Sequence, residues 1–400
     1  MKKAAGICLF AATVITQSCG FGNKEMASDA IGVKVSPEDN REYSYTDKKA
    51  GYWYGTTHQE KTEWWSGWNM AKKRILADYA IGVDDPAIGS DLTLNRKDAL
   101  ECIVYPDRIV RGWDHTQETF QMLDNTPILS IDLVSIADSL FIVPDLSHIS
   151  EVKDSEHGLF LTPTEAPDMN ILIAPARKTG FVRFGDGIKA GADSDGFIMT
   201  YGTEDECIAL ADLYRKSGRQ MMKERKERIS RLITDYNYVK TNLPSLDSAL
   251  NWITITMDEL ITEQQGKGIY AGLPWFNEYW GRDMFISMPG ACLVTGQFDI
   301  AKQILKDFAK LQDTDPASET YGRIPNRANL EGILYNTTDG TPRFVIQAFE
   351  VARYSGDTEF LSDIYPAIKI SIDASIDNYT DAKGYLTHAD ADTWMDVKRN

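Results

Sequence analysis

The sequence predicts a multidomain β-then-α protein: an N-terminal antiparallel β-sandwich, followed by helices paired in the manner of an α/α-toroid. Two observations carry this expectation. Between residues 42 and 205, short runs rich in β-branched and aromatic residues alternate with turn residues, as in "ALECIVYPDRIVRGW", "PILSIDLVSIADSLFIVPD" and "DGFIMTYG". From residue 245 onward apolar residues recur at helical spacing, in about five segments joined by short or medium loops.

The chain opens with Lys2 and Lys3, an apolar run from Ala4 to Ile15, and then Thr16-Gln17-Ser18-Cys19-Gly20. A cationic start, an apolar stretch too short to span a bilayer and a small residue before a cleavage point are the marks of an export leader. Ser18-Cys19-Gly20 resembles the lipobox of bacterial lipoproteins, with Thr16 departing from the usual leucine. The expectation is a leader at 1–18, acylation of Cys19, and a polar tether over 19–41, which would place the protein in the periplasm or on the outer membrane. Cysteines also stand at 8, 102, 207 and 292. The three beyond the leader and Cys19 are odd in number and widely spaced, which indicates neither a disulfide framework nor a zinc site.

A formal charge of -17 argues against nucleic acid as a partner, because phosphate binding needs clustered cations. The one basic block, Lys223 to Arg228, is diluted by two glutamates and reads as the solvated face of a helix. That helix belongs to a segment, 206–244, expected to connect the β-sandwich over 42–205 to the helical domain over 245–400. Pro244 closes it.

Three clusters carry candidate chemistry. In "LPWFNEYWGRDMFISMPG", 273–290, Trp275, Phe276 and Trp280 surround Glu278, Arg282 and Asp283. Aromatic faces suit the C–H surface of a sugar ring, and an adjacent Arg and Asp can fork hydrogen bonds onto its hydroxyls. The competing reading makes Asp283 a helix N-cap. In "YGRIPNRANLEGILYNTTDGTPRF", 321–344, Asn326, Tyr335, Asn336 and Asp339 fall in loop sequence before a helix whose cap is Asp339 or Thr341. In "DADTWMD", Asp390, Asp392 and Asp396 surround Trp394 and Met395. A carboxyl packed against such side chains loses solvation and holds its proton more readily, as a general acid must.

"WGRDMFISMPGACLVTGQFDIAKQIL", "GRIPNR", "YNTTDGT" and "TWMD", in that order, closely resemble the amylo-α-1,6-glucosidase domain of glycogen debranching enzymes. The stretch 42–79 resembles the N-terminal β-sandwich of bacterial members. The resemblance implies an (α/α)6 toroid, about half of it present, that removes α-1,6-linked glucose from branched α-glucans with inversion. It implies Asp396 as general acid, and Arg282 and Asp283 lining the subsite for the terminal sugar. Trp275, Trp280, Asn336, Asp339 and Trp394 would stand about the same pocket. Arg343 departs from the apolar or aromatic residue expected there. An inverting glycosidase also needs a second carboxylate roughly 6.5–9.5 Å from the acid. The expectation is that this base, a glutamate, lies beyond residue 400 and that the chain is a truncated form of a longer enzyme.

Two other functions stay open on the residues: another α/α-toroid α-glucosidase, glucoamylase-like or trehalase-like, and a glucan-binding lipoprotein without catalysis. The proposed acid–base chemistry calls for no cofactor, and no metal-binding loop is evident. The tryptophans at 53, 64, 65 and 68 are either a sugar-stacking platform or core.

Overall fold

The structure is a computed structural model that describes residues 26–59, 65–85, 90–236, 239–393 and 398. It divides into two compact units, Met1–Ile233 and Thr234–Asn400. The first is built on antiparallel strands and the second is mainly helical, so the order β then α holds.

Nine strands form the largest sheet of the first unit. Its centre runs, in spatial order, Ile109–Gly112, Thr116–Met122, Ile128–Ser135, Gly196–Gly202, Asn170–Pro175. A five-stranded sheet around Ser139–Pro144 and a four-stranded sheet from Glu42 to Leu76 complete it. The period of two in the central strands explains the packing. Ile171, Ile173, Phe197 and Met199 point into one core, shared with Trp53, Trp68 and Tyr79 of the smaller sheets. Leu172, Ala174 and Ile198, the residues between them, point into a second core against a helix. Strands covered on both faces read as continuous apolar runs, which is what "NILIAPA" and "GFIMTYG" are. Trp53 and Trp68 are fully buried, which settles those two as core; Trp64 lies outside the described residues.

The helix is α1, Glu204–Arg231. Thr203 and Glu206 close a capping box at its start, and Glu204, Asp205 and Glu206 offset the helix dipole. Cys207, Ala211 and Tyr214 bury its apolar face against the sheet, so the helix is part of the first unit rather than a free connection. The basic block corrects the sequence reading in a second way. Arg225 is buried and donates to the Thr46 carbonyl at 3.1 Å and to Asp124. Arg228 meets Asp124 at 2.7 Å, and Lys226 meets Asp29 at 2.7 Å. Arg225, Lys226 and Arg228 are thus ion-paired against the unit, which no count of charges along a helix can reveal, while Lys223 and Glu224 stay exposed as the sequence reading has them.

The second unit holds α2 (Pro244–Leu260), α3 (Gly281–Met288), α4 (Phe298–Lys310), α5 (Gly340–Ser355) and α6 (Thr358–Asn378). Pro244 opens α2 at its first position, where a missing N–H costs nothing, instead of ending the segment before it. After α3 the chain makes a wide helical turn over Pro289–Leu293 and reverses at Gly296, φ +73°. Phe285 of α3 meets Phe308 of α4 and Phe344 of α5 edge-on, each with ring centroids 5.7 Å apart, at the centre of the core. Five short strands, which the sequence reading had taken as loops, form a sheet in the order Ile261–Gln264, Gly266–Gly272, Phe276–Trp280, Arg327–Asn329, Gly332–Leu334. Three to seven residues each, they are too short for their periodicity to stand out.

Candidate active site

The short sheet brings the first two motif clusters together. Trp280 pairs with Arg327 and Tyr279 with Ala328, so WGRD and GRIPNR lie side by side. The Gly281 N–H donates to the Asn326 carbonyl at 2.6 Å. A Cβ on Gly281 would fall 2.4 Å from the Pro325 carbonyl oxygen, so only glycine lets α3 start this close to the neighbouring loop.

Arg282 and Asp339 form the central contact. The Arg282 Nε stands 2.9 Å from one Asp339 carboxylate oxygen and 3.1 Å from the other. Asp339 occupies the N-cap position of α5, yet makes no side-chain capping bond there. Its carboxylate goes to arginine, and Arg343 of the first turn of α5 adds a second cation, Nε 3.9 Å away. Thr341 does not cap the helix either: its hydroxyl accepts the Ile324 N–H at 2.9 Å, tying α5 to GRIPNR. Asp283 is exposed in the first turn of α3, at its third position rather than its cap. The structure thus pairs Arg282 with Asp339, across 57 residues, where the sequence had pointed to the adjacent Arg282–Asp283.

The other residues surround this pair. Asn326 donates to the Asn336 side chain at 3.3 Å, and Asn336 is exposed. Trp280 is half-buried, and among the described residues its indole N–H has no partner, nor have the buried side-chain oxygens of Asn326 and Thr337. Trp275 and Phe276 are 51% and 54% exposed, so two aromatic faces are open to solvent at the end of the strand away from Trp280. Glu278, only 3% exposed, accepts from Asn329 at 2.7 Å and sits 3.2 Å from Arg327 Nε, bracing the sheet. The sequence reading named Glu278 without those partners, since no local pattern links residues half a hundred positions apart.

The third cluster approaches the same loop. The Thr338 N–H donates to the Asp392 carbonyl at 2.9 Å, and its hydroxyl to the Asp392 carboxylate at 3.3 Å. Asp392 therefore fastens the lead-in of TWMD to YNTTDGT, next to Asp339. Trp394 and Asp396 themselves lie outside the described residues, as does Cys19.

The second unit thus carries a charged pair, exposed aromatic faces and hydrogen-bonding groups without partners among the described residues, which is the equipment for a polyhydroxylated ligand. Residues 219–400 match the family model described as amylo-alpha-1,6-glucosidase, a match that covers the whole second unit. The match supports membership of the amylo-alpha-1,6-glucosidase family of glycoside hydrolases for that part of the chain.

Proposed function

We propose that the protein hydrolyses α-1,6-linked glucose at branch points of an α-glucan by an inverting acid–base mechanism. The observation that carries this reading is the family match over the unit that holds the Arg282–Asp339 pair. In this reading the helices of the second unit belong to an (α/α)6 toroid and the strands of the first to a β-sandwich. Arg282, with Asp339 orienting it, binds hydroxyls of the terminal glucose; Asp283 and Asn336 add polar contacts, and Trp275, Trp280 and Trp394 pack on the ring.

Asp396 is the general acid. It gives its proton to the departing O6 as the C1–O6 bond breaks, while water, deprotonated by a second carboxylate, attacks C1 from the opposite face. Glu278 and Asp339 are poorly suited to be that base, because each already serves an arginine. The reading gives the role to a carboxylate other than these two. It also makes the protein an exported lipoprotein held to the membrane through Cys19.

The protein expressed from its complete reading frame should release glucose faster from an isomaltosyl branch than from a maltosyl end. Proton NMR during the first minutes should show β-glucose, the inverted anomer. Release of α-glucose, or equal rates on the two linkages, would replace this reading with another α-glucosidase.

A further inference from the structure

One oxygen of the Asp339 carboxylate faces two arginines. The Arg282 Nε stands 2.9 Å from it, and the Arg343 Nε 3.9 Å from the same atom. Arg282 comes from the first turn of α3 and Arg343 from the first turn of α5, so two helices bring their guanidinium groups to one point.

The charges there do not cancel. No other carboxylate among the described residues reaches either guanidinium. Glu278 is taken by Arg327 and Asn329, and Asp392 by Thr338 and the Ala389 N–H. Asp283 follows Arg282 along α3, where successive residues do not face each other. One turn beyond Arg343 on α5 stand Ile346 and Gln347, neither of them acidic, and Glu350 pairs with Arg353. Two cations and one anion leave a net positive charge, in a chain whose formal charge is -17.

The two arginines differ in access. The Arg282 side chain is 13% exposed and hydrogen-bonded through Nε. That of Arg343 is 42% exposed and makes no hydrogen bond among the described residues. At 3.9 Å and in contact with water, its attraction to Asp339 does little to hold α5 in place. Asp339 instead keeps two like charges side by side that would otherwise repel.

Phosphate and carboxylate groups accept two parallel N–H bonds from a guanidinium fork, which a neutral hydroxyl cannot do. A neutral ring needs only Arg282. We infer that Arg343 sets specificity at this site: with Arg282 it holds an anionic substituent, a phosphate ester or a carboxylate, carried by the bound sugar. The inference rests on the proposed reading of the Arg282–Asp339 pair as the sugar-binding part of the site.

Calorimetric titration of the full protein with glucose, glucose 6-phosphate, glucuronate and inorganic phosphate tests it. At least one anionic sugar should bind about tenfold more tightly than glucose, the gain of one charge-assisted contact, and added salt should shrink the difference. Whichever of the two binds more tightly identifies the substituent. Arg343→Leu should abolish the preference with helix content unchanged. Arg343→Lys, which keeps the charge without the planar fork, should retain part of it. Anionic sugars that bind no more tightly than glucose overturn the inference, and so does a preference that survives Arg343→Leu. Inorganic phosphate bound as tightly as the better sugar also overturns it, since the site then takes an adventitious ion only. Release of glucose from an isomaltosyl branch is scored on the same preparation. Branch hydrolysis without the preference sinks this inference alone, and the preference without branch hydrolysis sinks the debranching reading alone.

Discussion

The Arg282 guanidinium and the Asp339 carboxylate meet at 2.9 Å, locking the first turn of α3 to the residue before α5. The contact uses Nε. The terminal N–H groups of Arg282 have no partner among the described residues, which in the proposed function leaves them to donate to a sugar. In the proposed function Asp339 is the positioning group for a binding arginine. A lysine cannot be held the same way, because it has no planar fork to orient.

Asp339→Asn should therefore lower kcat/KM on branched substrate by about 2 kcal/mol, roughly thirtyfold, while secondary structure stays intact. Stability should fall by only about 1 kcal/mol, since both side chains retain some solvent contact. Arg282→Lys should cost a similar amount of activity, and the double variant little more than either alone. Fully additive losses would show that the two residues act independently.

Gly281→Ala places a methyl group 2.4 Å from the Pro325 carbonyl oxygen, a backbone atom that cannot swing aside as a side chain can. Alanine is the better helix former, so propensity alone predicts a gain. Overpacking should win and destabilise the protein by roughly 1–3 kcal/mol. Thermal unfolding measures the sign directly: an unchanged or raised Tm would mean that WGRD and GRIPNR are not packed as described.

Asp47 carries a pH dependence in the first unit. Burial lifts its pKa to about 7, against hydrogen bonds from the Lys49 and Gly51 N–H groups and the Arg225 cation, which lower it. The folded state therefore holds a proton that the unfolded state has released, from near pH 4 up to about pH 7. Stability from this group is present at low pH and is lost as pH rises through that window. His58 works the opposite way, its depressed pKa favouring the fold as pH rises towards 6.5. The clean readout is the difference between variants in urea. Asp47→Asn should gain stability relative to wild type between pH 5 and 8, and a constant difference across that range would show that Asp47 does not titrate there.

The alternation of β-type runs and the helical spacing beyond residue 245 were legible because burial imposes those periods on single segments. Ile171 to Ala174 show it most plainly, since successive residues serve two different cores. Pairings between distant positions were not legible. Arg282 and Asp339 were each visible as polar residues in aromatic or loop sequence, but nothing local joins them. Arg225 failed for the same reason: its partners, Asp124 and the Thr46 carbonyl, lie on separate strands and loops, and a helical wheel drawn alone places it in water.

Acylation of Cys19 is tested by fractionation. Cys19→Ala should move the protein from the membrane fraction to the soluble one, and a labelled fatty acid should mark the wild type alone. Complete release of the variant also requires that the folded part contribute little membrane affinity of its own. Label incorporated by the variant would place the modification elsewhere.

The sharpest test of the function falls on Asp396. If it is the proton donor, Asp396→Asn keeps the shape and a hydrogen-bonding group but cannot protonate O6, so the leaving group must depart as an alkoxide. Hydrolysis of an α-1,6 branch should fall by at least the roughly 10²–10⁴-fold that general acid catalysis supplies. Binding should change little, because the contacts through Arg282 and the aromatic residues remain. An activated substrate separates this from a structural lesion. A fluoride leaving group needs little proton assistance, so α-glucosyl fluoride should be hydrolysed by the variant at a rate much closer to wild type. A variant equally slow on both substrates would point to a distorted site, and one fully active on the natural branch would remove Asp396 from the chemistry. The carboxylate to mutate next would be Asp392, already tied to Thr338 beside Asp339.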